Sequence, residues 1–166
     1  MGLKEELGII TMSELSATRF GDDSKFTTKP IRLRDHPVFI VGEKPGKQRA
    51  GQQTGVVWEG NRSGDFIMDI TEQGSNMYLT NVCNYQDPTP EQKKEGLKDL
   101  EADILKLKPN KAICLGVEAR VAMAQIATRH LIPINLVFLD HPSYVLRFNK
   151  DVEEYKTKLI RHLEER

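Results

Sequence analysis

Four polar clusters interrupt the apolar runs of this sequence: Gly42-Glu43-Lys44-Pro45-Gly46, Thr80-Asn81-Val82, Gly116-Val117-Glu118 and Asp140-His141-Pro142-Ser143. Between them they offer a carboxylate, an imidazole and an amide that both donates and accepts hydrogen bonds. The first cluster follows Val38, Phe39, Ile40 and Val41, a β-branched and aromatic run that reads as a strand covered on both faces. Its glycines, Gly42 and Gly46, let the backbone come close to a ligand. A P-loop would need four residues between its glycines and then Lys followed by Ser or Thr. Here three residues separate Gly42 from Gly46, and Lys47-Gln48 follows, so the spacing argues against a nucleoside-triphosphate cradle.

The clusters need a frame to hold them, and the pattern of runs predicts one. "VFIVG", "MYLTNV", "KAICLG" and "INLVFLD" are separated by stretches with helical periodicity or capping signals. That alternation predicts parallel strands joined by right-handed crossovers. Thr89-Pro90-Glu91-Gln92 is a capping box with proline at the first helical position, and Leu97, Leu100, Ile104 and Leu105 supply the apolar stripe of the helix it opens. Pro109-Asn110 ends that helix, residues 117–127 form another, and Asn149 or Asp151 caps a last one in which Val152, Tyr155, Leu159 and Leu163 share a face. The expected fold is a single α/β domain over residues 1–166, with a central, mostly parallel four-stranded sheet, helices on both faces, and residues 1–35 as an N-terminal arm or cap. In such a sheet ligands bind outside the carboxyl ends of the strands, where the polar clusters fall.

Composition narrows the function classes. A chain of 166 residues buries a core without staples. Its 24 basic and 24 acidic residues cancel, which argues against wholesale coating of nucleic acid but permits a local basic patch. Cys83 and Cys114 have neither the density nor the spacing of a disulfide scaffold or zinc site, and so fit a reducing compartment. The longest nearly apolar run, "LIPINLVFL", is about half of the ~20 residues a membrane span needs, and no signal-peptide core is expected at the start. A soluble cytoplasmic protein is the expectation.

In their order and spacing, "GEKPG" after the first strand, "YLTNV" at the second, "LKPNKAICLG" at the third and "HPSYVLR" after the fourth resemble the uracil-DNA glycosylase superfamily, over residues 38–147. The nearest pattern is the family 4 type. The resemblance implies an enzyme that flips a base into a pocket and breaks its N-glycosidic bond, with positive charge growing on the sugar and negative charge on the leaving base. It assigns Glu43 to orient water or stabilise the sugar cation, and His141 to donate to the carbonyl of the departing base. It also assigns Asn81 to read the base's polar edge, Trp58 to stack on the base and Gly42 to line the base site. The alternatives stay open: Glu43 as a solvated turn acid, His141 as a turn cap, Asn81 as a turn former, Trp58 as core. Asp35-His36-Pro37 repeats the Asp-His-Pro tripeptide before a strand, so the position of His141 and the following Ser143 carry the assignment. Gly60, Ser63 and Gly64 open a helix whose amides suit a phosphate. Residues 143–147 would be a loop pressed into the duplex, with Val145 or Leu146 as wedge and Ser143 and Arg147 near the backbone.

The departures matter equally. Family 4 enzymes ligate an iron-sulfur cluster through four cysteines. This chain lacks that set, so no cofactor is expected. Lys44 replaces a small residue, and would pair with Glu43, meet a DNA phosphate or fill the pocket. Lys47-Gln48-Arg49 replaces an acidic pair, making the loop basic; Lys47 and Arg49 are the expected local DNA contacts. The expected protein is a monomeric, monofunctional DNA glycosylase for uracil or a related pyrimidine, with uracil- or modified-base-containing DNA as its partner. The rivals are a non-catalytic DNA- or protein-binding member of the same fold, and a small-molecule nucleoside or nucleotide hydrolase.

Overall fold

A computed structural model describes residues 25–148 and 150–165. The expected arm falls largely on residues 1–24, and the alternative helix cap Asn149 is a single position; both lie outside the described residues. The four apolar runs form β2 (Val38–Gly42), β3 (Met77–Asn81), β4 (Lys111–Leu115) and β5 (Asn135–Leu139), all parallel to one another. A fifth strand, β1 (Lys29–Ile31), joins the edge antiparallel to β3, so the sheet order is β1-β3-β2-β4-β5. The four-stranded expectation is thus corrected to five. A three-residue strand with Pro30 at its centre carries no apolar run, and proline is tolerated there because only an edge strand can spare its missing donor.

Alternation along the strands feeds two cores. Val38, Ile40, Leu79, Ile113 and Leu115 face one side, where they meet α1 (Arg62–Thr71), α4 (Pro142–Arg147) and α5 (Val152–Glu164). Phe39, Val41, Tyr78, Ala112 and Cys114 face the other, against α2 (Pro90–Leu107) and α3 (Val117–His130). The capping box forms as expected: Gln92 N donates to Thr89 Oγ1 at 3.1 Å and Thr89 N to Gln92 Oε1 at 3.0 Å. Leu100 and Ile104 of its stripe are buried, while Leu105 is exposed. α2 ends where Lys108 turns left-handed, directly before Pro109. Asp151 caps α5, accepting from Glu154 N at 2.9 Å.

Two polar ties fix the ends of this frame. Lys111 is buried at the start of β4, with its ammonium on the carbonyls of His162 and Glu165, where the free carbonyls of α5 need donors. Tyr155 of α5 donates to the Asp140 carbonyl at 2.6 Å, holding the residue before His141 against the helix. Burial raises the Tyr155 phenol well above its ordinary value, so it stays a donor across the physiological range.

Candidate active site at the carboxyl edge of the sheet

β2 lies between β3 and β4: the crossover after β2 runs to β3, and the one after β3 runs back past β2 to β4, so the two run in opposite directions and open a crevice beyond the carboxyl ends of β2 and β3. Gly42 and Asn81 are register partners there. The ladder continues past them: Val82 N donates to Gly42 O at 2.9 Å and Cys83 N to Glu43 O at 3.0 Å. Asn81 is 3% exposed, and its side chain's one hydrogen bond among the described residues is a long one, from Nδ2 to Asn84 Oδ1 at 3.4 Å. Its Oδ1 has no partner among them. A buried amide with an unspent oxygen is costly unless something else satisfies it.

The indole of Trp58 packs into the same corner. A Cβ on Gly42 would lie 2.6 Å from Trp58 Cζ2 and 2.6 Å from Asn81 Oδ1, so the corner has room only for glycine. Trp58 is held from several sides. Its Nε1 donates to Thr80 O at 3.4 Å, and its backbone is left-handed, φ 66, an uncommon state for a bulky residue. A Cβ on Gly64 would come within 2.1 Å of its carbonyl oxygen, so the first turn of α1 rests directly on it. Gln48, 7% exposed, pins the surrounding loop: Nε2 donates to Glu59 O at 3.0 Å and Thr54 Oγ1 at 3.1 Å, while Oε1 accepts from Gly55 N at 3.1 Å.

His141 completes the cluster, its ring stacked on Trp58 with centroids 5.5 Å apart and 24° between planes. It is also the N-cap of α4. Nδ1 accepts from Ser143 N at 3.1 Å and lies 2.8 Å from Ser143 Oγ. Because a backbone amide can only donate, Nδ1 is the unprotonated nitrogen and the neutral ring carries its hydrogen on Nε2. Burial lowers the pKa of the ring, which favours that neutral form. An aromatic floor, an amide and an Nε2–H donor are thereby brought together.

Glu43 and Lys44 stand apart from this cluster. Both are exposed, neither side chain pairs with the other or with any described residue, and they line a cavity of about 600 Å³ with Cys83, Lys93, Glu118 and Ala122. Trp58 packs with the core on the α1 side of the sheet, whereas Ala122 belongs to the core on the α3 side. The Gly42–Glu43 turn therefore separates this cavity from the Asn81–Trp58–His141 corner. Trp58 rather than Lys44 packs against Gly42 in that corner.

Of the expected DNA contacts, Lys47 is exposed, while Arg49 is engaged with Asp65 at 2.9 Å and Gln52 at 3.0 Å. Ser63 donates to Asn61 Oδ1 at 3.0 Å, and Asn61, which also accepts from Gly64 N at 2.8 Å, is the N-cap of α1. Residues 143–147 are helical rather than a loop, because His141 caps and Pro142 starts a turn there. Val145 is core at 2% exposure, and Leu146 is half-buried. Ser143 and Arg147 are exposed. Gln48 and Asn61 were missed by sequence reasoning. For Asn61 the signal existed, since asparagine leads the N-cap preference and Gly64 follows three residues later.

The cysteines do not fit an iron-sulfur cluster. Both are buried, Cys83 beside Gln92 O and Cys114 in the core against α3, and burial raises both thiols, Cys114 to about 12. No group of three or more His, Cys, Asp or Glu among the described residues is placed to hold a metal ion. No helix among them is long and apolar enough to cross a membrane.

A family model for the uracil DNA glycosylase superfamily matches residues 31–164. The chain belongs to that superfamily, and its domain is of the DNA glycosylase type. No curated protein matches it.

Proposed function

We propose that the protein is a monofunctional glycosylase that hydrolyses the N-glycosidic bond of uracil or a related pyrimidine in DNA. The observation that carries this reading is the neutral His141, with Nδ1 committed to Ser143 N and Nε2–H free to donate, on the same indole, Trp58, that packs beside the unspent oxygen of Asn81. In the reaction the C1′–N bond breaks and its electron pair leaves with the base. Nε2–H of His141 then stabilises the negative charge on the base carbonyl oxygen, where a preorganised donor contributes most. Asn81 Oδ1 accepts from the ring N–H of the base, and Trp58 stacks on its face. Water adds to C1′, and Glu43 orients it and takes its proton. Lys44 and Lys47 hold phosphates of the bound strand.

The packing of Trp58 on both Gly42 and His141 supports a second reading, recognition of DNA without chemistry, because base entry must displace part of that stack. Oligonucleotides carrying a single uracil, hydroxymethyluracil, hypoxanthine or mismatched thymine, followed by alkali cleavage of abasic sites, separate the two. Strand scission at one of the pyrimidine lesions is expected. Tight binding with no scission on any of them favours the second reading.

A further inference from the structure

α4 presents a surface that the base pocket does not use. With Val145 in the core and Leu146 half-buried, neither aliphatic side chain stands free as a wedge, and a wedge must be free to enter a base step. The apolar groups this segment does expose are aromatic: Tyr144 at 41% and Phe148 at 56%, with ring centroids 4.9 Å apart and planes at 55°. Each ring has a cation above it, Lys150 Nζ at 5.0 Å from the Tyr144 centroid and the Arg147 guanidinium at 5.4 Å from that of Phe148. The group is continuous with the pocket, since Tyr144 N donates to His141 O at 3.0 Å. It is held to α1 by Arg62, which donates to Leu146 O at 3.4 Å.

Paired aromatic faces with cations beside them suit single-stranded nucleic acid, whose bases stack on the rings while its phosphates meet the cations. A protein partner of ordinary composition would not explain why both exposed rings are paired with cations. We propose that Tyr144 and Phe148, with Arg147 and Lys150, form a stacking platform for unpaired bases flanking the flipped nucleotide. The strand is then taken single-stranded or locally unpaired, and the wedge role expected of Leu146 is not used. This rests on reading the protein as one that acts on DNA, but it does not require that base release occurs.

The test is equilibrium binding of the full chain, at one fixed salt concentration, to a uracil-free oligothymidylate and to a duplex of mixed sequence. The parent should prefer the single strand. The double variant Tyr144→Ala/Phe148→Ala should lose roughly tenfold or more in single-strand affinity, with a smaller loss on duplex. Leu146→Ala should stay within about twofold of the parent on both, and Tyr144→Phe should retain the parent's single-strand affinity. Melting temperatures near the parent's confirm that these exposed positions leave the fold intact. Unchanged binding by the double variant, a loss carried by Leu146→Ala instead, or a parent that favours duplex overturns the platform. A parent that shows the strand preference yet releases no base from any lesion overturns the proposed function and leaves the platform standing.

Discussion

Replacing Gly42 by alanine should damage the site through one methyl group. The Gly42 backbone is ordinary strand, so alanine meets no conformational penalty there and the cost is steric. Its Cβ would sit 2.6 Å from Trp58 Cζ2, 3.0 Å from Cη2 and 2.6 Å from Asn81 Oδ1, whereas unstrained carbon contacts lie near ~3.5–4.0 Å. Trp58 cannot retreat freely, because Thr80 O holds its Nε1 and Gly64 lies against its carbonyl. Overpacking of this kind costs about 1–3 kcal/mol, which for a chain of this size lowers the melting temperature by roughly 3–10 °C. Trp58→Phe removes the outer ring that bears Cζ2 and Cη2, so the pair Gly42→Ala/Trp58→Phe should show a favourable coupling of about 0.5–3 kcal/mol. Recovery stays partial because the contact with Asn81 remains. Thermal unfolding by circular dichroism measures all four proteins, and the emission of Trp58, the sole tryptophan, reports the displacement in Gly42→Ala. A Gly42→Ala protein that melts with the parent and keeps its emission would refute the packing described here.

Gln48→Ala should destabilise by about 2–3 kcal/mol, since it strands the buried Gly55 N–H and Glu59 carbonyl, and should red-shift Trp58 emission as its loop loosens; unchanged emission would separate the loop from the indole. For His141 the folded pKa lies below the ordinary value near ~6.5, so the unfolded chain binds more protons in that window and stability rises with pH there. Stability should therefore be fully present above about pH 6.5 and fall as the pH drops through the folded value, with His141→Gln flattening the slope and His162, lowered for the same reason, leaving a remainder. Lys44→Ala should leave the melting temperature unchanged and reduce the salt dependence of DNA binding by about one counterion. A large melting shift would show that Lys44 has structural partners.

The four parallel strands and α2 were legible because each is announced by strong local chemistry, short apolar runs in one case and a capping box in the other. β1 was not, since three residues around Pro30 depend on the open edge of β3 for their pairing. The helical character of residues 143–147 depends on His141 acting as a cap, a role that competes in sequence with its reading as a donor to the departing base. Asn81 and His141 could be singled out by their positions after strands, and Trp58 by the family resemblance, but their convergence in one corner is a property of the tertiary packing. Gln48 looked like part of a solvated basic loop, because nothing in Lys47-Gln48-Arg49 says which of the three turns inward. The separation of Glu43 and Lys44 from the aromatic corner was equally hidden, as it depends on the turn lying between a cavity on the α3 side of the sheet and the packed corner on the α1 side.

Single-turnover base release from a uracil-containing strand, at matched excess of parent, Asn81→Ala and His141→Ala, tests the central claim most directly. The account predicts measurable release by the parent and a loss of about 10²–10³ in rate for the histidine variant, with melting temperatures that change far less. Near-parental rates in both variants, or loss of activity only in step with loss of fold, would contradict it.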